Sequence, residues 1–218
     1  SITSVSAIVS EFGRVAPDLI FGRTLGFVDV ALFSRGVGVN RMLVERINTL
    51  VRTVHFPNFA ADLRRGGNAA ELYGGVTDYL VSVTAPMLAV LAIVSGPMIL
   101  FLFGAQWERS IPIAAVICVG SMLTAPYSLY GLSLIAGGKA ALHLRAEIAT
   151  QGFRVVVLLT SIWLPLDWVV ALLLPAYIFE ALVAQHALKR AFGLGWLDLQ
   201  RRLWRAWAVV PFAAVGPA

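Results

Sequence analysis

The sequence predicts an all-α, polytopic membrane protein, and two charge-free stretches are the main evidence. Residues 79–107 and 110–138 each run for 29 residues without Asp, Glu, Lys or Arg. A helix needs about 20 apolar residues to cross a hydrocarbon core about 30 Å thick, so each stretch is long enough to span a bilayer. The composition agrees, because 59% of the residues are hydrophobic and 13% are charged, against about 25% charged in soluble domains. The mean hydropathy is +0.81.

The remaining composition argues against several classes of function. The net charge of +5 is what cytoplasmic loops of a membrane protein supply, so we expect no nucleic-acid partner. Cys118 is the single cysteine and lies in an apolar stretch, and the three histidines are far apart, so no zinc-binding spacing is present. The sequence contains no nucleotide-binding loop and no nucleophile motif. We therefore expect no cofactor, no metal and no enzymatic activity.

Apolar runs and turn residues divide the chain into six predicted spans and the start of a seventh. The spans are 2–22, 27–60, 78–103, 111–136, 147–164 and 168–188, with 203–218 as the start of an extra helix. Glycine, asparagine and proline mark the connections, which are 62–71, 104–110, 137–145, 165–167 and 193–205. Pro126 should kink the fourth span. We assign 1–192 to a six-helix lobe, and 193–218 to a cytoplasmic amphipathic connection followed by a truncated helix. Both ends are interpreted as lying within a longer polytopic protein.

The distribution of lysine and arginine predicts the orientation. If the spans alternate in direction, one side of the membrane receives two basic residues, Arg23 and Arg109, and the other side receives nine. The positive-inside rule places the nine in the cytoplasm. These nine are Arg64, Arg65, Lys139, Arg145, Lys189, Arg190, Arg201, Arg202 and Arg205.

The second predicted span is the most polar, and we expect the functional site there. On a helix of 100° per residue, Arg41, Glu45 and Arg52 fall within about 40° of one another. Arg35 and Arg46 form a second stripe about 100° away. Apolar residues occupy the opposite face: Leu43, Ile47, Leu50, Val51 and Val54.

Three interpretations of this helix are open. It could lie in the interface as an amphipathic anchor, or its charges could pair inside the bundle, with Glu45 neutralising Arg41 or Arg46. In the third interpretation, which we favour, the polar face lines a water-filled cavity that binds an anion. An arginine inside a membrane costs several kcal/mol unless it faces water, a partner or a ligand, and arginine binds phosphate in a bidentate manner.

Other charged residues inside the spans give weaker signals. Asp18 is one turn from Arg14, and local pairing is expected. Arg154 shares a helix face with Glu147, and structural pairing is favoured over ligand contact. Glu180 stands alone in an apolar run, as a protonated or paired acid or as part of an ion-coupling site.

Three stretches resemble a transporter family. They are APDLIFGRTLGFVDVALFSRG (16–36), VHFPNFAADLRR (54–65) and LFGAQWERSIPIAAVICVGSM (102–122). In order and spacing they are similar to the carboxyl-terminal half of Wzx-like oligosaccharide and polysaccharide flippases, which export lipopolysaccharide and exopolysaccharide units. These flippases belong to the multidrug/oligosaccharidyl-lipid/polysaccharide exporter superfamily. The chain departs from the family pattern at Phe33, where tyrosine is common, and at 111–112, where alanine is usual.

The resemblance implies a fold of two six-helix lobes around a central cavity, of which this chain would be one lobe. It implies that glycan units linked to undecaprenyl pyrophosphate are moved across the bacterial inner membrane by alternating access. The expected partners are this lipid-linked glycan, the membrane lipids and an amino-terminal half. Arg41, Arg46 and Arg52 would then contact the anionic headgroup, with Arg35 nearer the outer mouth and Glu45 as a charge partner.

Three alternatives remain. A cation-coupled multidrug exporter of the same superfamily predicts acidic rather than arginine-rich cavity faces. A membrane-embedded polymerase or glycosyltransferase needs a large loop, and the predicted loops are short. The third is a structural membrane subunit with no transport of its own. A concave face that gathers Arg41, Arg46 and Arg52 would support transport, whereas arginines buried against Glu147 or Glu180 would favour structural pairing.

Overall fold

The protein is a bundle of long helices in a computed structural model, which describes residues 8–9, 11, 16, 19–23 and 26–215. The described residues are almost entirely helical and contain no strand, which confirms the all-α prediction. The first predicted span, with Asp18, lies largely outside the described residues. The helices are α1 (Phe27–Arg64), α2 (Ala69–Phe103), α3 (Ile111–Thr124), α4 (Tyr130–Ala136), α5 (Ala140–Leu159), α6 (Leu166–Phe192) and α7 (Trp196–Val215). Short 3₁₀ segments join some of them, at Ala105–Ser110, Ala125–Tyr127 and Thr160–Ile162.

Three helical stretches among the described residues are long and apolar enough to cross a membrane. They are Ala69–Phe103, Ala105–Ala136 and Leu166–Phe192, which correspond to the third, fourth and sixth predicted spans. In the most apolar 18-residue stretch of each helix, only 22% of the residues of α2 and 28% of those of α6 are buried inside the protein. Most of each apolar stretch is therefore partly or fully accessible from outside the described bundle, as expected of helices that face lipid.

Several predicted boundaries differ from the ends of the helices. The third span was expected to begin at residue 78, but α2 begins at Ala69. The fifth span was expected at 147–164, but α5 runs from Ala140 to Leu159. The connection expected at 193–205 is mostly helix, because α7 begins at Trp196. Leu199, Leu203 and Ala206 follow helical spacing and are buried in the core that contains Tyr73 of α2. Burial of this apolar stripe favours a helix despite the nearby arginines.

A tight turn joins α1 to α2. Gly66 has φ +86°, and a Cβ on Gly67 would lie 2.9 Å from the Asp62 carbonyl oxygen. Asn68 caps α2 by accepting a hydrogen bond from the Ala70 N–H at 3.0 Å. The two helices have 38 and 35 residues, about 57 and 52 Å at 1.5 Å per residue. They are therefore longer than the bilayer core is thick.

The fourth span breaks at Pro126, as predicted. Helix α3 ends at Thr124, and a 3₁₀ segment, Ala125–Tyr127, leads towards α4. The Tyr73 hydroxyl of α2 donates a hydrogen bond to the Pro126 carbonyl oxygen at 2.8 Å. The carbonyl of the proline itself is therefore satisfied by a neighbouring helix, which makes the break tolerable within a bundle.

Glycines bring the helices around α1 into close contact. A Cβ on Gly36 of α1 would lie 2.7 Å from Ile113 Cγ2 of α3, and a Cβ on Gly120 of α3 would lie 2.0 Å from the Tyr177 ring of α6. The Ser110 hydroxyl donates to the Leu32 carbonyl oxygen at 3.0 Å. These contacts hold one side of α1 beside α3, next to α6.

Candidate functional site

A cavity of about 310 Å³ lies between α1, α3, α5 and α6. Its charged side chains are Arg41, Glu45 and Arg154. The other lining residues are Phe33, Ser34, Val37, Asn40, Val44, Ile117, Ser121, Leu158, Leu173 and Tyr177.

The depth of this cavity follows from Arg35. Its guanidinium carbon lies 5.0 Å from the Phe103 ring centroid and 5.2 Å from the Trp107 ring centroid. Arg35 is therefore level with the end of α2 that is predicted to face outward, and it stacks on aromatic rings rather than lining the cavity. At 1.5 Å per residue, Arg41 lies about 9 Å and Arg46 about 16 Å further along α1. If α1 crosses the bilayer as predicted, with Arg35 at the outer boundary, both positions would fall within a core about 30 Å thick, and Arg46 near its midplane.

Arg41 and Glu45 form an ion pair along α1. The Arg41 Nε donates to Glu45 Oε1 at 2.8 Å, and the side chains are 41% and 62% exposed. Of the two pairings that the sequence left open for Glu45, the structure has the one with Arg41. Because both side chains remain accessible, this pair adds little stability in water and leaves Arg41 open to a ligand.

Arg46 lies beside this pair in an open groove. The groove has a volume of about 470 Å³ and is bordered by Arg41, Glu45, Arg46 and Gly38, with Met42 and Thr49. The Arg46 side chain is exposed, and within the described part of the chain no carboxylate lies within 4 Å of it. The structure thus brings two of the four predicted arginines of this helix together.

Arg154 of α5 and Glu180 of α6 form an ion pair across the two helices. Their side chains are 28% and 29% exposed, and the Arg154 guanidinium carbon lies 5.8 Å from the Tyr177 ring centroid. Glu147, which the sequence placed on the same face as Arg154, accepts hydrogen bonds from the Tyr130 hydroxyl at 3.3 Å and the Gln151 amide at 3.4 Å. Arg154 thus forms a structural ion pair, the role that the sequence favoured over ligand contact. Glu180 is the acid paired with it.

Two of the predicted residues cannot be placed at the site. The backbone of Arg52 belongs to α1, but its side chain is not described, and Asp18 lies outside the described residues. Within the described ranges, no group of three or more His, Cys, Asp or Glu side chains could hold a metal ion.

One wall of the cavity is neutral and polar, and it was not predicted from the sequence. Asn40 is 6% exposed, its amide donates to the Cys118 sulfur at 3.6 Å, and it accepts a hydrogen bond from the Ser121 hydroxyl at 3.2 Å. An asparagine next to Arg41 and a serine in a charge-free span were the available signals, because buried polar groups need partners.

Comparisons with known proteins identify the family. No solved structure matches the chain. The teichuronic acid biosynthesis protein TuaB of Bacillus subtilis (strain 168) is 27% identical over an aligned length of 213 residues, and the match covers 87% of this chain and 44% of that protein. The chain therefore spans less than half the length of this relative. A family model described as "Polysaccharide biosynthesis protein" matches residues 2–112, half of the chain. The chain is a membrane protein that belongs to this polysaccharide biosynthesis family.

Proposed function

We propose that the chain is the carboxyl-terminal lobe of a Wzx-like flippase, which moves lipid-linked glycan units across the bacterial inner membrane by alternating access. The observation that carries this proposal is the placement of Arg41 and Arg46 side by side on an accessible face of α1. We propose that α1 crosses the bilayer, which would put both arginines inside its core. Transporter substrates typically bind near the midplane, between two repeats that rock against each other.

The charges support an anionic ligand. An arginine at this depth is costly unless it faces water, a partner or a ligand. Arg41 has a partner in Glu45, whereas Arg46 lies open in the groove. We propose that the pyrophosphate of the carrier lipid lies against Arg41 and Arg46, since a guanidinium can donate two parallel hydrogen bonds to a phosphate.

The cavity next to Arg41 suggests where the different parts of the ligand bind. It is lined by the amide of Asn40 and the hydroxyls of Ser121 and Tyr177, which can hydrogen-bond to sugar or phosphate oxygens without adding charge. Its volume of about 310 Å³ is at the small end of ligand pockets. We propose that it takes the phosphate-proximal part of the ligand, while the rest of the glycan extends along the open groove.

The remaining predicted residues have supporting roles in this proposal. By its position in the sequence Arg52 would continue the cationic stripe towards the cytoplasmic side, and Arg35 would lie near the outer mouth. Arg154 and Glu180 fix the far wall of the cavity, and their mutual pairing argues against Glu180 as an ion-coupling acid.

Single replacement of the arginines tests the proposal. Arg41→Gln, Arg46→Gln and Arg52→Gln should each reduce surface polysaccharide when introduced into the full-length protein in cells, at equal membrane abundance. Losing a hydrogen bond to a charged group costs about 1.5–3 kcal/mol, so binding should weaken by about 10- to 100-fold. Lipid-linked units should accumulate on the cytoplasmic face.

Arg65→Gln is the matched control, because the Arg65 side chain is 80% exposed in the α1–α2 turn and lies away from the groove. It should leave export unchanged. Normal export by all three variants, or an equal loss in the control, would contradict the proposal.

A further inference from the structure

A second cationic site lies between the amino-terminal parts of α2 and α7, apart from the groove on α1. It is a pocket of about 270 Å³ with three arginines and one carboxylate. Its residues are Arg201, Arg202, Trp204 and Arg205 of α7 and Gly74, Gly75 and Asp78 of α2. The proposed transport of glycans does not use any of these side chains.

The depth of the pocket is that of the lipid headgroups. Asp78 precedes Phe103 by 25 residues on the same helix, which is about 37 Å at 1.5 Å per residue. The hydrocarbon core is about 30 Å thick, and the bilayer with its interfacial regions about 40–45 Å. With Phe103 at the outer boundary, Asp78 therefore lies in the opposite interface, on the side predicted to be cytoplasmic. Trp204 is 60% exposed beside it, and tryptophan is enriched at this level of membranes.

The packing of α7 holds the arginines in place. Leu199 and Leu203 are fully buried, so the arginine face of α7 has a fixed orientation. A Cβ on Gly74 would lie 2.9 Å from Arg202 Cδ and 3.3 Å from its Nε. The Arg202 side chain thus runs directly over α2 at a position where only glycine leaves room for it.

The charges of the pocket are unbalanced. Three guanidinium groups face one carboxylate, which leaves an excess of two positive charges. Among the described residues, none of the three arginines has a carboxylate within 4 Å. The Asp78 Oδ1 atom is buried and has no hydrogen-bond partner there, although an unsatisfied buried acceptor costs about 1–3 kcal/mol. The pocket therefore combines an excess of positive charge with a carboxylate oxygen that accepts no hydrogen bond among the described residues.

We propose that this pocket binds the headgroup of an anionic phospholipid, with the phosphodiester on the arginines and a headgroup hydroxyl donating to Asp78. Phosphatidylglycerol has both groups. Basic pockets on the cytoplasmic side of membrane helices bind lipid phosphates in this way. The bound lipid would fasten α7 to α2 at the membrane surface.

Lipid binding to the purified full-length protein tests this assignment. The protein is delipidated in detergent, phosphatidylglycerol is added, and bound lipid is counted by native mass spectrometry. Each basic residue near an anionic lipid surface contributes about 1 kcal/mol, so Arg201→Gln/Arg202→Gln should weaken binding by about 30-fold. Lys189→Gln/Arg190→Gln removes the same charge from an exposed site at the end of α6 and should change binding by less than about twofold.

A second variant keeps the charge. Gly74→Ala should displace Arg202 and weaken phosphatidylglycerol binding, whereas Gly152→Ala, which adds a methyl group in open space on α5, should have no effect. Tryptophan fluorescence and elution volume show whether each variant is folded. Equal losses in the two double variants, or unchanged binding by folded Arg201→Gln/Arg202→Gln and Gly74→Ala proteins, would overturn the assignment.

Three further probes separate the possible sources of phosphate. Phosphatidylcholine, which has no net charge and no headgroup donor, should bind more weakly than phosphatidylglycerol. Inorganic phosphate at equal concentration should not displace the lipid, and displacement would instead indicate a site for soluble anions. Tighter binding of undecaprenyl phosphate than of phosphatidylglycerol, lost in Arg201→Gln/Arg202→Gln, would assign the pocket to a transport substrate and refute the proposal.

Discussion

Replacing Arg154 with methionine should loosen the contact between α5 and α6, because Glu180 then loses its ion-pair partner. Removing one member of a buried ion pair costs about 3–5 kcal/mol. The two side chains are 28% and 29% exposed, so water partly screens the remaining charge. We therefore expect a loss of about 2–3 kcal/mol in the free energy of unfolding for Arg154→Met.

Replacing Glu180 instead of Arg154 should lower the free energy of unfolding by less. In Glu180→Gln the amide oxygen can still accept a hydrogen bond from Arg154. The Arg154 guanidinium also retains its contact with the Tyr177 ring, whose centroid lies 5.8 Å from the guanidinium carbon. A loss of about 1–2 kcal/mol is expected. The double variant should be more stable than the sum of the single losses predicts, by a coupling energy of about 1–3 kcal/mol.

Equilibrium unfolding of the full-length protein in detergent micelles, followed by tryptophan fluorescence and far-ultraviolet circular dichroism, measures these values. The Arg65–Asp62 pair is the control, since its atoms are 3.5 Å apart and its side chains are 80% and 44% exposed. Its coupling should be below about 0.5 kcal/mol. If the Arg154–Glu180 cycle gave a coupling as small as the control, the ion pair would not be what holds α5 against α6.

Two further predictions concern backbone features. Gly120→Ala should destabilise the protein by about 1–3 kcal/mol, because the new methyl would lie 2.0 Å from the Tyr177 ring. Thermal unfolding should show a lowered midpoint temperature for this variant. The control Gly152→Ala should leave the midpoint unchanged or raise it slightly. Asn68→Ala removes the cap on the Ala70 N–H and should cost about 1 kcal/mol, measured by the same method, and an unchanged midpoint would show that solvent satisfies this helix end equally well.

The fold could be predicted to the extent that it depends on composition along the chain. The charge-free stretches 79–107 and 110–138 predicted α2 and the helices around Pro126, because exclusion of charge does not depend on which helices are neighbours. Helix α7 was misplaced for the opposite reason. Its arginines dominate the local hydropathy, while its burial depends on a stripe of three apolar residues, Leu199, Leu203 and Ala206, that finds its partner on α2.

In the candidate site, contacts within one helix could be predicted from the sequence, whereas contacts between helices could not. Arg41 and Glu45 are four residues apart on one helix, a spacing that predicts contact from sequence alone. Arg154 and Glu180 are 26 residues apart on two helices, so their pairing depends on how α5 and α6 face each other. Asn40 escaped notice because its significance comes from the Cys118 and Ser121 partners on α3.

The length of α1 links the membrane site to the cytoplasmic side mechanically. One continuous helix from Phe27 to Arg64 carries both the arginines of the groove and the turn at Gly66. A rod about 57 Å long that tilts by about 10° around its centre moves each end by about 5 Å. Any rocking that opens the groove to one side of the membrane would therefore swing the α1–α2 turn through a distance that a pair of spin labels at this turn could register.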